Sequence, residues 1–287
     1  MTPAAPPRPA GLPPLPAAMW RHIDAAGGPE QQSATTLQGE GTPAARQLGD
    51  CAWPDVDARL LAVPLGSTEQ HGPHLPLSAD TDIAVALASC VPGAVVAPAL
   101  PYGSSGEHAG FPGTLSIGQA ALQLVLVELV RSAGFERVLL VNAHGGNAEP
   151  VRRAVATLRS EGRDVRAWGP RWDGDAHAGR TETSVLLALG RPVGDARPVG
   201  ATAPVAELMP ALRAGGVAAV SPNGVLGDAR GASAEEGRAL LDAAAADLLA
   251  FVAAWPPTPA DHGVGAGIHA QRRSRNSMIG EGEGGGG

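Results

Sequence analysis

Lysine is missing from this chain: all 21 basic residues are arginine, against 28 acidic ones, for a net charge of −7. Its absence excludes Schiff-base lysine chemistry, a phosphate-cradling P-loop and a Ser-Lys nucleophile pair. Cysteine is scarce as well. Cys51 and Cys90 are too few for a disulfide framework in 287 residues, and neither belongs to a Cys-x-x-Cys pair, so both read as buried or inert thiols. No apolar run reaches the roughly 18 residues of a membrane span. The opening MTPAAPPRPAGLPPLPAAMW lacks the basic-then-apolar order of a secretory signal. Beyond the short cluster Arg272, Arg273 and Arg275 there is no basic stripe, which argues against nucleic acid or anionic lipid as a partner. A soluble, cytoplasmic protein is expected. The serines of YGSSGEHAGFPGT lack the G-x-S-x-G elbow, so serine hydrolysis is rejected too. Histidine, carboxylate and metal chemistry remain.

What is present divides the chain in three. Residues 1–46 are Pro/Ala-rich and then polar, with too few large apolar side chains to offset their ordering entropy, and 257–287 run out in GEGEGGGG. Both are expected to be disordered. Between them, 47–256 form one domain, and the 44% apolar content suffices for its core. Buried strands are expected at 60–65, 94–99, 137–142 and 164–169. Helices are expected at 81–91, 119–133, 148–160, 182–189 and 233–254. In 119–133 the apolar stripe is Leu122, Val125, Leu126, Leu129 and Val130; in 233–254 it is Leu241, Ala244, Leu248 and Val252. Strands alternating with helices imply an α/β fold with a mostly parallel sheet covered on both faces.

In such folds the loops after the carboxyl ends of the strands carry the chemistry. Here they hold Glu69, His71, His74 and Asp80 after the first strand, His144 after the third, and His177 and Glu182 after the fourth. Most of these are common metal-ligand types. Glu69 and His71 lie two apart, so an extended segment turns both to one face. Asp80, arriving just before a helix, can offer its two oxygens to two cations, or can cap that helix instead. Asp82 is the helix-start residue or a first-turn charge that complements the dipole. His144 is a ligand or a hydrogen-bonded turn histidine, with Gly145 and Gly146 removing bulk beside it and Asn142 and Asn147 available to hold the turn. Glu182 is a ligand or a cap. His177 is a proton carrier to a leaving amine or an ordinary surface histidine. Glu107 and His108 line a pocket or belong to a plain loop. Two bridged divalent ions could share a water and lower its pKa towards neutrality, which makes amide hydrolysis the natural reaction.

PLGSTEQHGPHLPLSADTD, SGEHAGFPGTLSIG, VNAHGGN and HAGRTETS, in this order, resemble the creatininase family over about residues 55–255. The resemblance implies a three-layer α/β/α fold, frequently a hexamer, and a binuclear centre on Glu69, His71, Asp80 and His144. The metals would be zinc, iron or manganese. Creatininase takes a further carboxylate from the turn after its histidine, where this chain has Gly145 and Gly146; Glu182 is the best replacement. That departure also counts against creatinine as substrate. EHAGFPGTLSIG, HAGRTETSVLL and VAAVSPNGVLGD are most similar to a peptidase branch that trims a modified ribosomal precursor peptide of a redox cofactor. It implies cleavage of a Gly–Val bond that releases a C-terminal Val-Tyr unit. An amidohydrolase of a small cyclic amide or formamide, and a metal-binding scaffold without turnover, are the competing expectations.

Overall fold

The structure is a computed structural model that describes residues 45–56 and 59–255. The expected disordered tail 257–287, and nearly all of the extension 1–46, lie outside the described residues. Five parallel strands form one sheet in the order β1-β3-β2-β4-β5: β1 (Arg46–Gln47), β2 (Leu60–Leu65), β3 (Val95–Val96), β4 (Arg137–Asn142) and β5 (Asp164–Trp168). Central β2 and β4 run in full register, from Leu60 beside Arg137 to Leu65 beside Asn142.

Alternation along these strands builds two cores. Leu60, Ala62, Leu139 and Val141 point to one face, where α1 (Ala79–Ala88), α4 (Arg180–Ala188) and α6 (Ala234–Ala253) bring Ile83, Leu87, Val185, Leu186, Leu241 and Leu248. Leu61, Val63, Leu65, Val138 and Leu140 point to the other, covered by Leu122, Leu126 and Val130 of α2 (Gly118–Ser132) and Val151 and Leu158 of α3 (Ala148–Ser160). Each such leucine contributes roughly 1.5–3 kcal/mol on burial. The result is the expected three-layer α/β/α arrangement. Trp255 closes it, fully buried, with its Nε1 donating to Asp164 and Arg137 and Arg166 over its ring.

Several expected boundaries shift. The 94–99 strand is regular only over Val95–Val96; beyond it the pairing with β2 slips by one residue, with Leu100 N donating to Pro64 O at 2.9 Å. Arg46, assigned to the extension, belongs to the sheet edge. In α2, Val125 is exposed and Val127 is buried, so the stripe is rotated from the expected one. A helix the periodicity missed, α5 (Val205–Val220), buries only Val217 and breaks at Gly216 (φ 68°), so it carries no apolar stripe. Both cysteines are only partly buried. Burial, with Asp242 adding to it, pushes the Cys90 thiol up to about 12, which keeps it inert. Among the described residues, no helix is long and apolar enough to cross a membrane.

Candidate metal centre

The carboxyl ends of β2 and β4 open onto one buried cluster. Glu69 and His71 come from the segment after β2, His144 from the turn after β4, and all three are almost wholly enclosed. Asp80 does not precede α1: the helix begins at Ala79 after Ser78, and Asp80 sits in its first turn with its side chain turned inward. Asp80 is therefore no cap. Asp82 is not the start residue but a first-turn charge, as its other reading had it; its carboxylate takes the Ser78 hydroxyl at 2.8 Å and pairs with Arg191 at 2.8 Å.

Asp80 stands between two imidazoles. Its Oδ1 lies 3.3 Å from His71 Nε2, and its Oδ2 lies 3.1 Å from His144 Nδ1 and accepts the Ser67 hydroxyl at 2.7 Å. Glu69 Oε2 is 3.3 Å from His144 Nε2, and Glu182 Oε2 is 3.9 Å from His71 Nε2. Glu182 is also a helix-end residue, because the same oxygen accepts the Ala178 N–H at 2.6 Å. Ala178 has φ 52°, a left-handed conformation costing roughly 1–3 kcal/mol. That turn lets His177 and Glu182 both face inward although helix α4 starts between them. His177 is thus no surface histidine: it is buried, with Nδ1 4.0 Å from Glu69 Oε1 and its ring 4.4 Å from that of His71.

Of the remaining residues, His74 stays outside. Its Nε2 meets Thr183 Oγ1 at 3.0 Å and it supports α4 from the side. Gly146 is required: a Cβ there would lie 2.2 Å from the Ser104 carbonyl and 2.5 Å from His144 Nε2, whereas Gly145 faces open space. Asn147 donates to Gly66 O and accepts from Ser104 N, both at 2.9 Å, and Asn142 donates to His144 O at 2.9 Å, so the two asparagines hold the turn. One neighbour of the cluster escaped the sequence, Gln70, while His108, read as pocket lining or plain loop, joins the cluster. His108 is buried with Nε2 3.3 Å from Glu69 Oε1, and Gln70 lies beneath it with Nε2 2.8 Å from His108 Nδ1. Strand-like alternation turns Gln70 away from Glu69 and His71, but the loop at Gly224 covers that side too.

Electrostatics divides the cluster. Burial alone lowers a histidine, yet Asp80, Glu182 and Glu69 carry His71 up to about 10, and Asp80 and Glu69 carry His144 up to about 9. Burial raises Glu69 to about 7, helped by the charge on Asp80. Burial likewise raises Glu182. Asp80 is buried too, but His71 and His144 hold it well below the usual carboxylate range. Burial, and the charges on His71 and His144, push His108 down to about 3; burial and His71 push His177 far down.

These residues fit divalent cations. Glu69 Oε2 is buried without a hydrogen-bond partner, and Glu69, Asp80 and His144 each bring a ligand atom within 4.8 Å of the others, as do His71, His177 and Glu182. Carboxylate and imidazole donors of this kind suit several divalent ions.

The creatininase family profile, described as creatinine amidohydrolase, matches residues 49–252. A protein of Mycolicibacterium smegmatis named mycofactocin precursor peptide peptidase is 50% identical over 76% of this chain and 92% of its own. Its namesake in Mycobacterium ulcerans is 48% identical with the same coverage. Among solved structures, a glutamate-to-glutamine variant of creatininase in a zinc–zinc form superposes with a TM-score of 0.62 at 25% identity, over 75% of this chain and 99% of that one.

Proposed function

Because the chain belongs to the creatininase family, we propose that it is the peptidase of mycofactocin maturation, hydrolysing the Gly–Val bond of the modified precursor peptide to release its C-terminal Val-Tyr-derived unit. The observation that carries a binuclear hydrolase is Asp80, whose two oxygens face His71 and His144 on opposite sides. Glu69, Asp80 and His144 would hold one divalent ion; His71, Asp80 and Glu182 would hold the second. Bound there, such ions polarise a carbonyl and provide hydroxide near neutral pH. The protein's own part is to orient these groups. His71 Nδ1 donates to the Glu69 carbonyl at 3.1 Å and His144 Nε2 donates to the Ser104 carbonyl at 3.1 Å, so each turns its other nitrogen to Asp80. His177 Nε2 donates to the Gln70 carbonyl at 2.8 Å, leaving Nδ1 to take a proton and pass it to the departing amine.

A cavity of about 860 Å³ borders His144 and runs along β5 past Arg166 and Trp168 to Phe251. His144 is the one residue of the cluster in its lining, so its volume does not choose between a peptide and a small amide. The enzyme would work in the cytoplasm as a homo-oligomer, a hexamer by family resemblance, with zinc, iron or manganese. The test is to incubate purified protein with the modified precursor peptide and follow the C-terminal fragment by mass spectrometry. Release of the Val-Tyr unit is expected. Turnover of only creatinine or a formamide would replace this reading with the small-amide one, and metal binding without any turnover would replace it with the scaffold.

A further inference from the structure

Four histidines meet in the centre, and each has one ring nitrogen held by a neighbour. For His71, His144 and His177 that neighbour is a backbone carbonyl, of Glu69, Ser104 and Gln70 respectively. A carbonyl only accepts, so the held nitrogen carries a hydrogen and the opposite one faces the carboxylates.

His108 is held from the other direction. The Gln70 side-chain amide has its orientation fixed by backbone: Oε1 accepts the Gly72 N–H at 2.8 Å, and Nε2 donates to the Gly224 carbonyl at 3.0 Å. Turned over, it would set donor against donor and acceptor against acceptor. Of the two amide hydrogens, one goes to Gly224. The other points to His108 Nδ1 at 2.8 Å, which must then accept. His177 Nε2, 3.1 Å from the same amide nitrogen, takes neither, since its own hydrogen goes to the Gln70 backbone oxygen. The hydrogen of His108 therefore sits on Nε2, 3.3 Å from Glu69 Oε1. Gly224 (φ 79°) makes room for this, because a Cβ there would lie 1.9 Å from Gln70 Oε1.

We propose that Gln70 is a positioning residue that locks the His108 hydrogen on Nε2, the nitrogen 3.3 Å from Glu69 Oε1, so that His108 faces Glu69 with an N–H and is not itself a metal ligand. Glu69 then presents its other oxygen, Oε2, to the side of His144, 3.3 Å from Nε2 and without a hydrogen bond of its own. It follows that Glu69, His108 and His177, although their donor atoms come within 4.8 Å of one another, are not a third cation site. The catalytic part of the inference rests on the hydrolytic reading above; the proton placement does not.

The test is nitrogen NMR on metal-free protein carrying ¹⁵N-histidine, with signals assigned by single-histidine variants. His108 and His177 should both carry their hydrogen on Nε2. A hydrogen on Nδ1 of His108 would overturn the inference. Gln70→Glu replaces the donating amide with an acceptor of the same shape. It should move the His108 hydrogen to Nδ1 and lower kcat by roughly 10–100-fold, the usual size for a residue behind a ligand, with KM nearly unchanged. An unchanged His108 spectrum in that variant, or an unchanged kcat, would refute the role of Gln70. The spectra need neither metal nor substrate. Expected spectra from a protein without peptidase activity would overturn the proposed function and leave the proton placement standing.

Discussion

His71 and His144 flank Asp80 and are raised to about 10 and about 9, whereas His108 and His177, in the same cluster and also buried, are lowered, His108 to about 3. Burial pushes all four down. The difference lies in the neighbours: two faces of one carboxylate for the first pair, the charges of the other histidines for the second. Positive charge thus concentrates on one wall of the site, and the opposite wall stays neutral. The charged wall is where a metal ion can displace protons; the neutral wall is free to place or move a single hydrogen.

The comparison breaks most completely at Asp80. Asp80→Asn should abolish binding of both metal ions and cut hydrolysis by at least about 10³-fold, read by metal analysis and peptide turnover. Glu69→Ala should lose activity and bound metal as well, and full activity in that variant would remove Glu69 from the ligand set. Next come the two walls taken singly. His144→Ala should lose one metal equivalent. His177→Ala should keep both and lose about 10²-fold in kcat, the ordinary contribution of a proton carrier. Equal metal loss in the two variants would erase the distinction.

A smaller effect lies in the pH dependence of the metal-free protein. His71 and His144 are raised, so their stabilising contribution is complete below about 6.5 and is lost as pH climbs towards 9 and 10. Glu69, raised to about 7, also withdraws stability as pH rises from 4.5 through 7. His108 has the opposite sense: the unfolded chain takes up a proton below about 6.5 and the folded one does not, so stability falls as pH drops towards 3. By calorimetry, His71→Asn should shallow the alkaline fall in Tm by a few degrees and His108→Gln the acid one. A shallower acid limb in His71→Asn alone would reverse the assignment. The least effect is expected at Glu107, partly exposed and 4.0 Å from His144: Glu107→Gln should change kcat by less than about threefold.

Much of this was legible in the residues because periodicity and loop position report burial. β2 and β4 coincide with the expected strands, and Glu69, His71, Asp80, His144, His177 and Glu182 all reach one cluster. What escaped depended on contacts distant in sequence. Helix α5 has no buried stripe to announce it. Gln70 gains its partners from Gly224 and His108, 154 and 38 residues away, and no local pattern encodes such a meeting. The left-handed Ala178 is equally silent, since an alanine there looks like any other.

The central claim is that these side chains hold two divalent ions needed to hydrolyse a peptide. The direct measurement is metal content against release of the C-terminal fragment, on protein as purified, exhaustively chelated and reloaded. Two equivalents per chain, turnover lost with them and restored on reloading, is the result this account predicts; undiminished turnover by the metal-stripped protein would contradict it.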